Sequence, residues 1–382
     1  MRRFDPRRFP DLLLVLDVAF LVVLIPLLGT WFCLVCLVIV PAVYYSLWLL
    51  TRLLPPGRLR TGIFLAGWLT VVLLLTNTAF FRIPLSLPRW PLLFMGLKIF
   101  HYGWDVLAGK TELAGLRRLA NLLLFFPTLF WGPIERYEHL VPQVSGAAER
   151  VTRKETIFGF RHLGEGLLKV AICLTIFYLA PQYTIDLYKM YQTYTFFEVL
   201  LGVYLIIIAF FFVVAGYSDC AIGLASLMGI EVFENFRNPY MKHNFAQFWR
   251  TWHISYSFWL RDYVYVRLGG NRSRVYRNTI LTFLFSGISH GLDLKFVIWA
   301  LIAGLCVCVM RWWHRLWAGE LGGVMTALKE WAGGHPVLIR TMGMALTFHC
   351  FTLSMMIFFG GLRRGTEVIL TVLSLGLIKQ VM

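Results

Sequence analysis

Residues 248–263 read FWRTWHISYSFWLRDY, and residues 286–291 read SGISHG. Both lie in a stretch, Asn235 to Gly291, where charged, aromatic and histidine side chains occur together in a mostly apolar chain. Six aromatic residues in it recur at steps of three and four: Phe245, Trp249, Trp252, Tyr256, Trp259 and Tyr263. This spacing predicts one amphipathic helix from Asn244 to Val266, with Asn244 as its cap and Gly269-Gly270 as its end.

Polar side chains run along the flank of this aromatic stripe. They are Arg250, His253, Ser257 and Arg261. Taken alone, the pattern fits a helix at the cytosolic face of a membrane, with an aromatic belt and snorkelling arginines. A helix that lines a substrate tunnel is the second interpretation.

The composition is that of an integral membrane protein. The chain has 382 residues, of which 58% are hydrophobic and 15% are charged. Several apolar runs are long enough to cross a bilayer, so we expect an all-α polytopic protein with about ten transmembrane helices. The net charge of +16 is assigned to cytosolic loops and anionic lipid headgroups, so membrane lipids are expected partners and nucleic acid is not.

The distribution of basic residues predicts the topology. Arg2 and Arg3 precede the first apolar run, which places the N-terminus in the cytosol of a multi-pass protein of the inner (cytoplasmic) membrane. Lys154 falls in a predicted cytosolic loop and Lys189 in an external one. A single integral-membrane domain, residues 1–382, is expected.

One apolar segment, Leu119–Pro133, is interrupted by Pro127 and Gly132-Pro133 and lies between basic loops. We interpret it as a re-entrant hairpin, since broken backbone at membrane depth must be buried in protein or line a cavity. A proline-kinked span is the alternative. The preceding run carries Lys98, His101 and Asp105, which we expect to face the protein interior.

The second histidine of the stretch, His290, ends the short apolar run Asn278–His290. About 13 residues rise only about 20 Å, against about 30 Å of hydrocarbon, so a helix entering from the cytosol would end inside the bilayer. A histidine there is a functional candidate, although an ordinary core histidine remains the alternative. Small neighbours, among them Ser286, Gly287 and Ser289, are expected to leave space around the ring.

Other kinds of site are not indicated. The seven cysteines show no metal-ligand or secreted-disulfide spacing, so no metal is expected. Phosphate-binding loops and nucleophile elbows are absent from the sequence. A histidine acting as general base is therefore favoured over a covalent intermediate on serine or cysteine.

Several motifs together resemble the membrane-bound O-acyltransferase family. Residues 235–240 (NFRNPY), 248–255 (FWRTWHIS) and 259–263 (WLRDY) are similar to the central motif of one branch. That branch holds bacterial alginate O-acetyltransferases and the D-alanyl transfer protein of teichoic acid synthesis. Residues 217–219 (YSD) and 125–127 (FFP) match in order and spacing. The resemblance covers about residues 91–300.

The resemblance implies two catalytic histidines, His290 as the nearly invariant one and His253 as the second. Ser289 stands where the branch usually has Trp, which implies a wider pocket. The residues implied in binding donor or acceptor, or in stabilising the oxyanion, are Trp249, Arg250, Asn238, Asp219, Ser218, Tyr217, Ser289 and Ser257.

The implied activity is transfer of an acyl group, with acetyl favoured, to a hydroxyl of an extracytoplasmic glycan or cell-envelope acceptor. The donor would be a cytosolic acyl thioester, either acyl-CoA or an acyl-carrier protein, with no bound cofactor. A partner transferase protein is a further candidate partner. The alternatives are D-alanyl or other acyl transfer from a charged carrier, and a non-catalytic transporter or flippase of an acylated carrier.

Overall fold

A computed structural model describes residues 8–76, 89–184, 193–318 and 323–374. Regular structure in these ranges is helical, which confirms the all-α prediction. The α-helices are α1 (Phe9–Val23), α2 (Ile25–Leu28), α3 (Thr30–Leu53), α4 (Arg58–Thr76), α5 (Arg89–Leu107), α6 (Leu116–Leu123), α7 (Tyr137–Val144), α8 (Arg153–Leu179), α9 (Pro181–Thr184), α10 (Phe196–Leu227), α11 (Phe245–Thr251), α12 (Ile254–Leu260), α13 (Val275–His290), α14 (Leu294–Ala318), α15 (Gly323–Gly334) and α16 (Pro336–Leu373).

Six of the described helices are long and apolar enough to cross a membrane: α3, α4, α8, α10, α14 and α16. These helices agree with a polytopic membrane protein, while the number of about ten crossings stays a prediction. Arg2, Arg3 and Lys189, on which part of the predicted topology depends, lie outside the described residues.

The chain forms two compact units, and the first comprises Met1–Leu168 with Gly216–Glu234. In it the polar residues of α5 are buried, as predicted for Lys98, His101 and Asp105. The Lys98 ammonium donates to the Leu122 carbonyl (3.3 Å) and to Thr128 Oγ1 (3.0 Å). His101 Nε2 accepts from the Tyr137 amide at 3.0 Å. These bonds hold the segment that follows α5.

That segment contains the predicted re-entrant hairpin. Instead of one long helix it has α6, a 3-10 turn at Phe126–Thr128, and irregular backbone before α7. Asp17 Oδ1 accepts from the Phe126 amide at 2.8 Å, which satisfies backbone where the helix is interrupted. The continuous proline-kinked span is therefore not formed.

The second unit comprises Lys169–Ala215 with Asn235–Met382. Its α13 and α14 form a hairpin that turns at Gly291, where φ is 149°. A Cβ on Gly287 would collide with the Phe296 carbonyl and Ala300 Cβ, so this glycine lets the two helices approach closely. At 16 residues, α13 is slightly longer than predicted.

Two long helices carry features that bear on the site. Residues 217–219 lie inside α10, which continues without interruption to Leu227. In the last helix, α16, the backbone is kinked at Gly361, where φ is 79°.

Candidate functional site

The prediction of one continuous helix from Asn244 to Val266 is wrong, because the helix is broken at His253. The cap is confirmed: Asn244 Oδ1 accepts from the Gln247 amide at 2.8 Å. However, α11 ends at Thr251, and His253 has a left-handed φ of 47°. Past α12 the chain continues as a π-helical turn, Arg261–Tyr265. Left-handed backbone is rare for residues other than glycine and costs about 1–3 kcal/mol, so other contacts must hold His253 there.

Asn235 supplies those contacts. Its buried side-chain oxygen, Oδ1, lies 3.0 Å from His253 Nδ1, 3.3 Å from the Ser255 amide and 2.9 Å from Ser255 Oγ. Its backbone carbonyl accepts from the Ile254 amide at 2.8 Å. One buried asparagine therefore holds the break and orients the histidine.

These bonds also define the state of the His253 ring. The Ser255 amide can only donate, so the Asn235 atom facing it is the acceptor oxygen, and His253 Nδ1 must carry the proton. Burial lowers the pKa of His253 to about 3, with a smaller contribution from charge on His290. The ring is then neutral at physiological pH, with Nε2 as its acceptor atom.

His290 ends α13 within a shell of aromatic rings. The ring centroids of Phe358, Trp299, Phe296 and Tyr256 lie 5.1, 5.6, 6.1 and 6.3 Å from that of His290. His290 is only partly buried, and whether its small neighbours leave space around the ring stays a prediction. Two of these neighbours have packing roles, because Gly287 lets α13 approach α14 and Ser286 is buried.

Tyr256 connects the surroundings of the two histidines. Its ring centroid lies 5.3 Å from His253 and 6.3 Å from His290. Its hydroxyl lies 2.7 Å from Ser289 Oγ, which itself donates to the Ser286 carbonyl at 2.7 Å. Since serine has a single hydroxyl proton, Tyr256 is the donor in their shared bond. Ser289, the departure from the resembled branch, thus fixes the Tyr256 hydroxyl.

The aromatic stripe is largely buried and is not a belt facing lipid. Phe245, Trp252, Tyr256 and Trp259 are all buried. Trp252 stacks on Phe248 (5.5 Å) and lies 4.9 Å from Phe351. Burial of the stripe removes the main support for the interfacial interpretation.

The remaining predicted residues of this unit take different positions. Trp249 packs near this shell, with its ring 6.1 Å from Trp299. Ser257 Oγ donates to the carbonyls of Trp249 (3.0 Å) and Trp252 (3.2 Å), so it supports the broken backbone. Arg250 is exposed, and Asn238 has a left-handed φ of 45° before a 3-10 turn.

Tyr217, Ser218 and Asp219 belong to the first unit. Asp219 Oδ1 lies 3.8 Å from His162 Nδ1, and the Tyr217 ring is edge-on to Trp131 at 5.5 Å. Ser218 is buried. Their roles in binding stay predictions.

Sequence reasoning missed three residues of the site. Asn235 was quoted only as part of a motif, because nothing in the sequence pairs it with His253. Tyr256 was counted as one ring of the stripe, although its spacing of three residues from His253 was a signal. Trp299 lies nine residues beyond His290 and has no motif of its own.

Comparison with known proteins identifies the family. The model of the membrane-bound O-acyltransferase (MBOAT) family matches residues 107–320, more than half of the chain. The probable alginate O-acetylase AlgI of Pseudomonas aeruginosa is 36% identical over 212 residues, which are 54% of this chain and 39% of that protein.

Two further relatives carry other names. The peptidoglycan O-acetyltransferase of Helicobacter pylori is 32% identical over 199 residues, 50% of this chain and 37% of that protein. The teichoic acid D-alanyltransferase of Bacillus subtilis is 31% identical over 200 residues, 49% of each. The chain thus matches less than half the length of each of these relatives. Because the family model covers both candidate histidines and most of the region of predicted resemblance, the chain belongs to the membrane-bound O-acyltransferase family.

Proposed function

We propose that this protein transfers an acyl group, acetyl in the first instance, from a cytosolic acyl thioester to a hydroxyl of an extracytoplasmic glycan or cell-envelope acceptor. It would do so in the inner membrane, with its N-terminus in the cytosol. The donor would be acyl-CoA or an acyl-carrier protein, and a partner transferase could deliver the acceptor or receive the product.

The observation that carries this proposal is the environment of His290. A polar imidazole ends a helix inside a shell of four aromatic rings, next to a tyrosine that also contacts the second candidate histidine. Imidazole is the side chain best suited to take and return a proton near neutral pH. The aromatic shell would keep bulk water away and so limit hydrolysis of the donor.

In the proposed reaction the acceptor hydroxyl oxygen attacks the thioester carbonyl carbon, and its proton passes to a ring nitrogen of His290. The tetrahedral intermediate then expels the thiolate, which takes the proton from His290 and leaves as a thiol. An ester has formed, a thioester has broken, and the histidine is regenerated. His290 alone carries the proton in both directions, and the transfer needs no covalent acyl-enzyme.

His253 would bind and position the donor instead of abstracting a proton. Asn235 fixes its proton on Nδ1, so Nε2 presents an acceptor of fixed direction. Arg250 would attract an anionic donor such as coenzyme A from the cytosolic side, and Trp249, Ser289, Ser257 and Asn238 would line or support the path. Tyr217, Ser218 and Asp219 are proposed to contact donor or acceptor on the strength of their motif.

The names of the relatives support an envelope polymer as acceptor. Two relatives are named as O-acetylating enzymes of alginate and peptidoglycan, and one is named for D-alanyl transfer to teichoic acid. D-alanyl transfer from a charged carrier is therefore the second candidate.

The test is transfer by the purified protein in reconstituted vesicles. Labelled acetyl thioester or D-alanyl carrier is supplied on one side, with and without an oligosaccharide acceptor on the other. We expect labelled ester only when both donor and acceptor are present, and more from the acetyl donor. Vesicles without protein and vesicles with acceptor lacking free hydroxyls are the controls.

Two outcomes would contradict the proposal. Movement of an intact acylated carrier across the membrane without ester formation would indicate a transporter. If the donor is hydrolysed at the same rate with and without acceptor, and no ester forms, the protein does not transfer acyl groups to a hydroxyl acceptor.

A further inference from the structure

Two indole N–H groups near His290 have no acceptor in the part of the chain that the structure describes. They belong to Trp249 on α11 and Trp299 on α14, and both Nε1 atoms are buried. Trp299 is only 4% exposed. Their ring centroids are 6.1 Å apart with the planes at 74°.

Trp299 lies directly beside the proposed base His290, and Trp249 packs on Trp299. The Trp299 ring is edge-on to His290, with centroids 5.6 Å apart and planes at 73°. Both rings pack on further aromatic side chains: Trp249 on Phe283 (5.4 Å) and Trp299 on Phe358 (5.1 Å). This packing restricts the directions that their N–H groups can take.

An unsatisfied buried donor is costly. Leaving such a group without an acceptor costs about 1–3 kcal/mol, and folded proteins pair the great majority of buried polar groups. One of these donors belongs to the ring beside His290 and the other to a ring packed on it, which suggests that their acceptor comes from a ligand. A carbonyl oxygen fits well, because it accepts only and has two lone pairs.

We propose that the indole N–H groups of Trp299 and Trp249 bind the carbonyl oxygen of the acyl group during its transfer. This inference rests on the proposed acyltransferase function. When the acceptor oxygen attacks and its proton moves to His290, the carbonyl oxygen becomes an oxyanion that accepts both N–H bonds. On collapse the carbonyl reforms, the thiolate leaves, and the His290 proton converts it to a thiol. Preorganised donors of this kind stabilise charge as it develops.

The substitution Trp299→Phe removes the N–H and keeps an aromatic ring. The turnover number for acetyl transfer should fall about 100-fold, the usual effect of losing one oxyanion donor. Trp249→Phe should act in the same direction. The matched control is Trp259→Phe, which also removes a buried indole of the same unit, but one that packs on Tyr263 and Phe285. It should lower thermal stability at least as much and leave turnover near wild type.

A binding experiment tests the carbonyl contact without turnover. The probes are acetyl-CoA with methylene in place of the thioester sulfur, which keeps the carbonyl, and S-ethyl-CoA, which lacks it. Trp299→Phe should weaken binding of the first about 5-fold, as expected for one neutral hydrogen bond, and leave the second within about 2-fold of wild type.

The inference is overturned if Trp299→Phe leaves turnover unchanged and weakens both probes equally. The indoles would then be satisfied by neighbouring π faces, such as Phe358 edge-on to Trp299. Failure of the proposed function has a different signature. In that case the wild-type protein would give no ester at all. The ratio of the affinities for the two probes could still be compared between wild type and Trp299→Phe, and that comparison would decide this inference.

Discussion

Replacing Asn235 by alanine should disable His253 without touching the histidine itself. Asn235 Oδ1 accepts three hydrogen bonds, from His253 Nδ1, the Ser255 amide and Ser255 Oγ. At about 1 kcal/mol for each bond, with added cost for donors left buried, Asn235→Ala should lower the free energy of unfolding by about 2–4 kcal/mol. Because these bonds also hold His253 in left-handed backbone, the ring should lose its fixed orientation.

The structure offers a matched control for this variant. Asn278 is equally buried in the same unit and donates to the carbonyls of Gly270 (3.0 Å) and Ser273 (2.6 Å). Asn278→Ala should lose a similar stability. Thermal unfolding in detergent measures the loss of stability in each variant. Acyl transfer, measured well below both unfolding temperatures, then reports the effect on catalysis separately. Only Asn235→Ala should raise the KM for donor, by about 10-fold or more, and His253→Ala should have the same effect.

A conservative variant sharpens the test. Asn235→Asp keeps an acceptor for all three bonds and should restore the KM. Its negative charge would favour the protonated imidazole and raise the pKa of His253, which should shift the acid limb of the pH profile to higher pH. If Asn235→Ala and Asn278→Ala have the same KM and turnover, Asn235 is not a positioning residue and the assigned His253 tautomer has no functional role.

Three further predictions concern other parts of the molecule. Lys154→Cys, at an exposed position in α8, should react with membrane-impermeant thiol reagents only from the cytosolic side, and Lys189→Cys only from outside; the reverse would invert the predicted topology. The hydrogen bond from His139 to the buried Glu135 carboxylate (2.8 Å) raises the pKa of His139 above 6.5. The stabilisation of the fold by this hydrogen bond, at most about 1 kcal/mol, is therefore complete below pH 6.5 and is lost as the pH rises through the folded-state pKa. The unfolding temperatures of wild type and His139→Gln should converge over that pH range. A difference that stays constant with pH would refute this prediction. Tyr256→Phe and Ser289→Ala each remove the same hydrogen bond, so their effects on transfer should be no larger in combination than singly, whereas additive effects would show that the hydroxyls act separately.

Local features of the sequence predicted much of the fold. Asn244 caps a helix because its side chain reaches an amide three residues ahead. The prolines of Leu119–Pro133 interrupt the helix because proline lacks the amide proton and clashes with the preceding turn. Lys98, His101 and Asp105 are buried, as ionisable groups in apolar runs should be.

Contacts between distant parts of the chain could not be predicted in this way. The periodicity of residues 245–263 is helical. However, Asn235, 18 residues before His253, accepts hydrogen bonds from the Ile254 and Ser255 amides and from His253 Nδ1, and so holds the break in the helix. The shell around His290 depends on Phe358, which comes from the last described helix. The contacts of the small residues near His290 were likewise hidden, because Gly287 packs against α14 and Ser289 bonds to Tyr256.

The most direct test of the proposed chemistry compares two histidines of the same unit. His290 lies in the aromatic shell, while His349 Nδ1 lies 2.6 Å from the Tyr204 hydroxyl oxygen, as a structural core histidine would. His290→Ala and His349→Ala should each lower the unfolding temperature slightly, because each removes a packed ring. Acyl transfer per folded molecule should fall about 100-fold or more for His290→Ala and stay near wild type for His349→Ala. A folded His290→Ala protein that transfers acyl groups at the wild-type rate would show that His290 is an ordinary core histidine and not the general base.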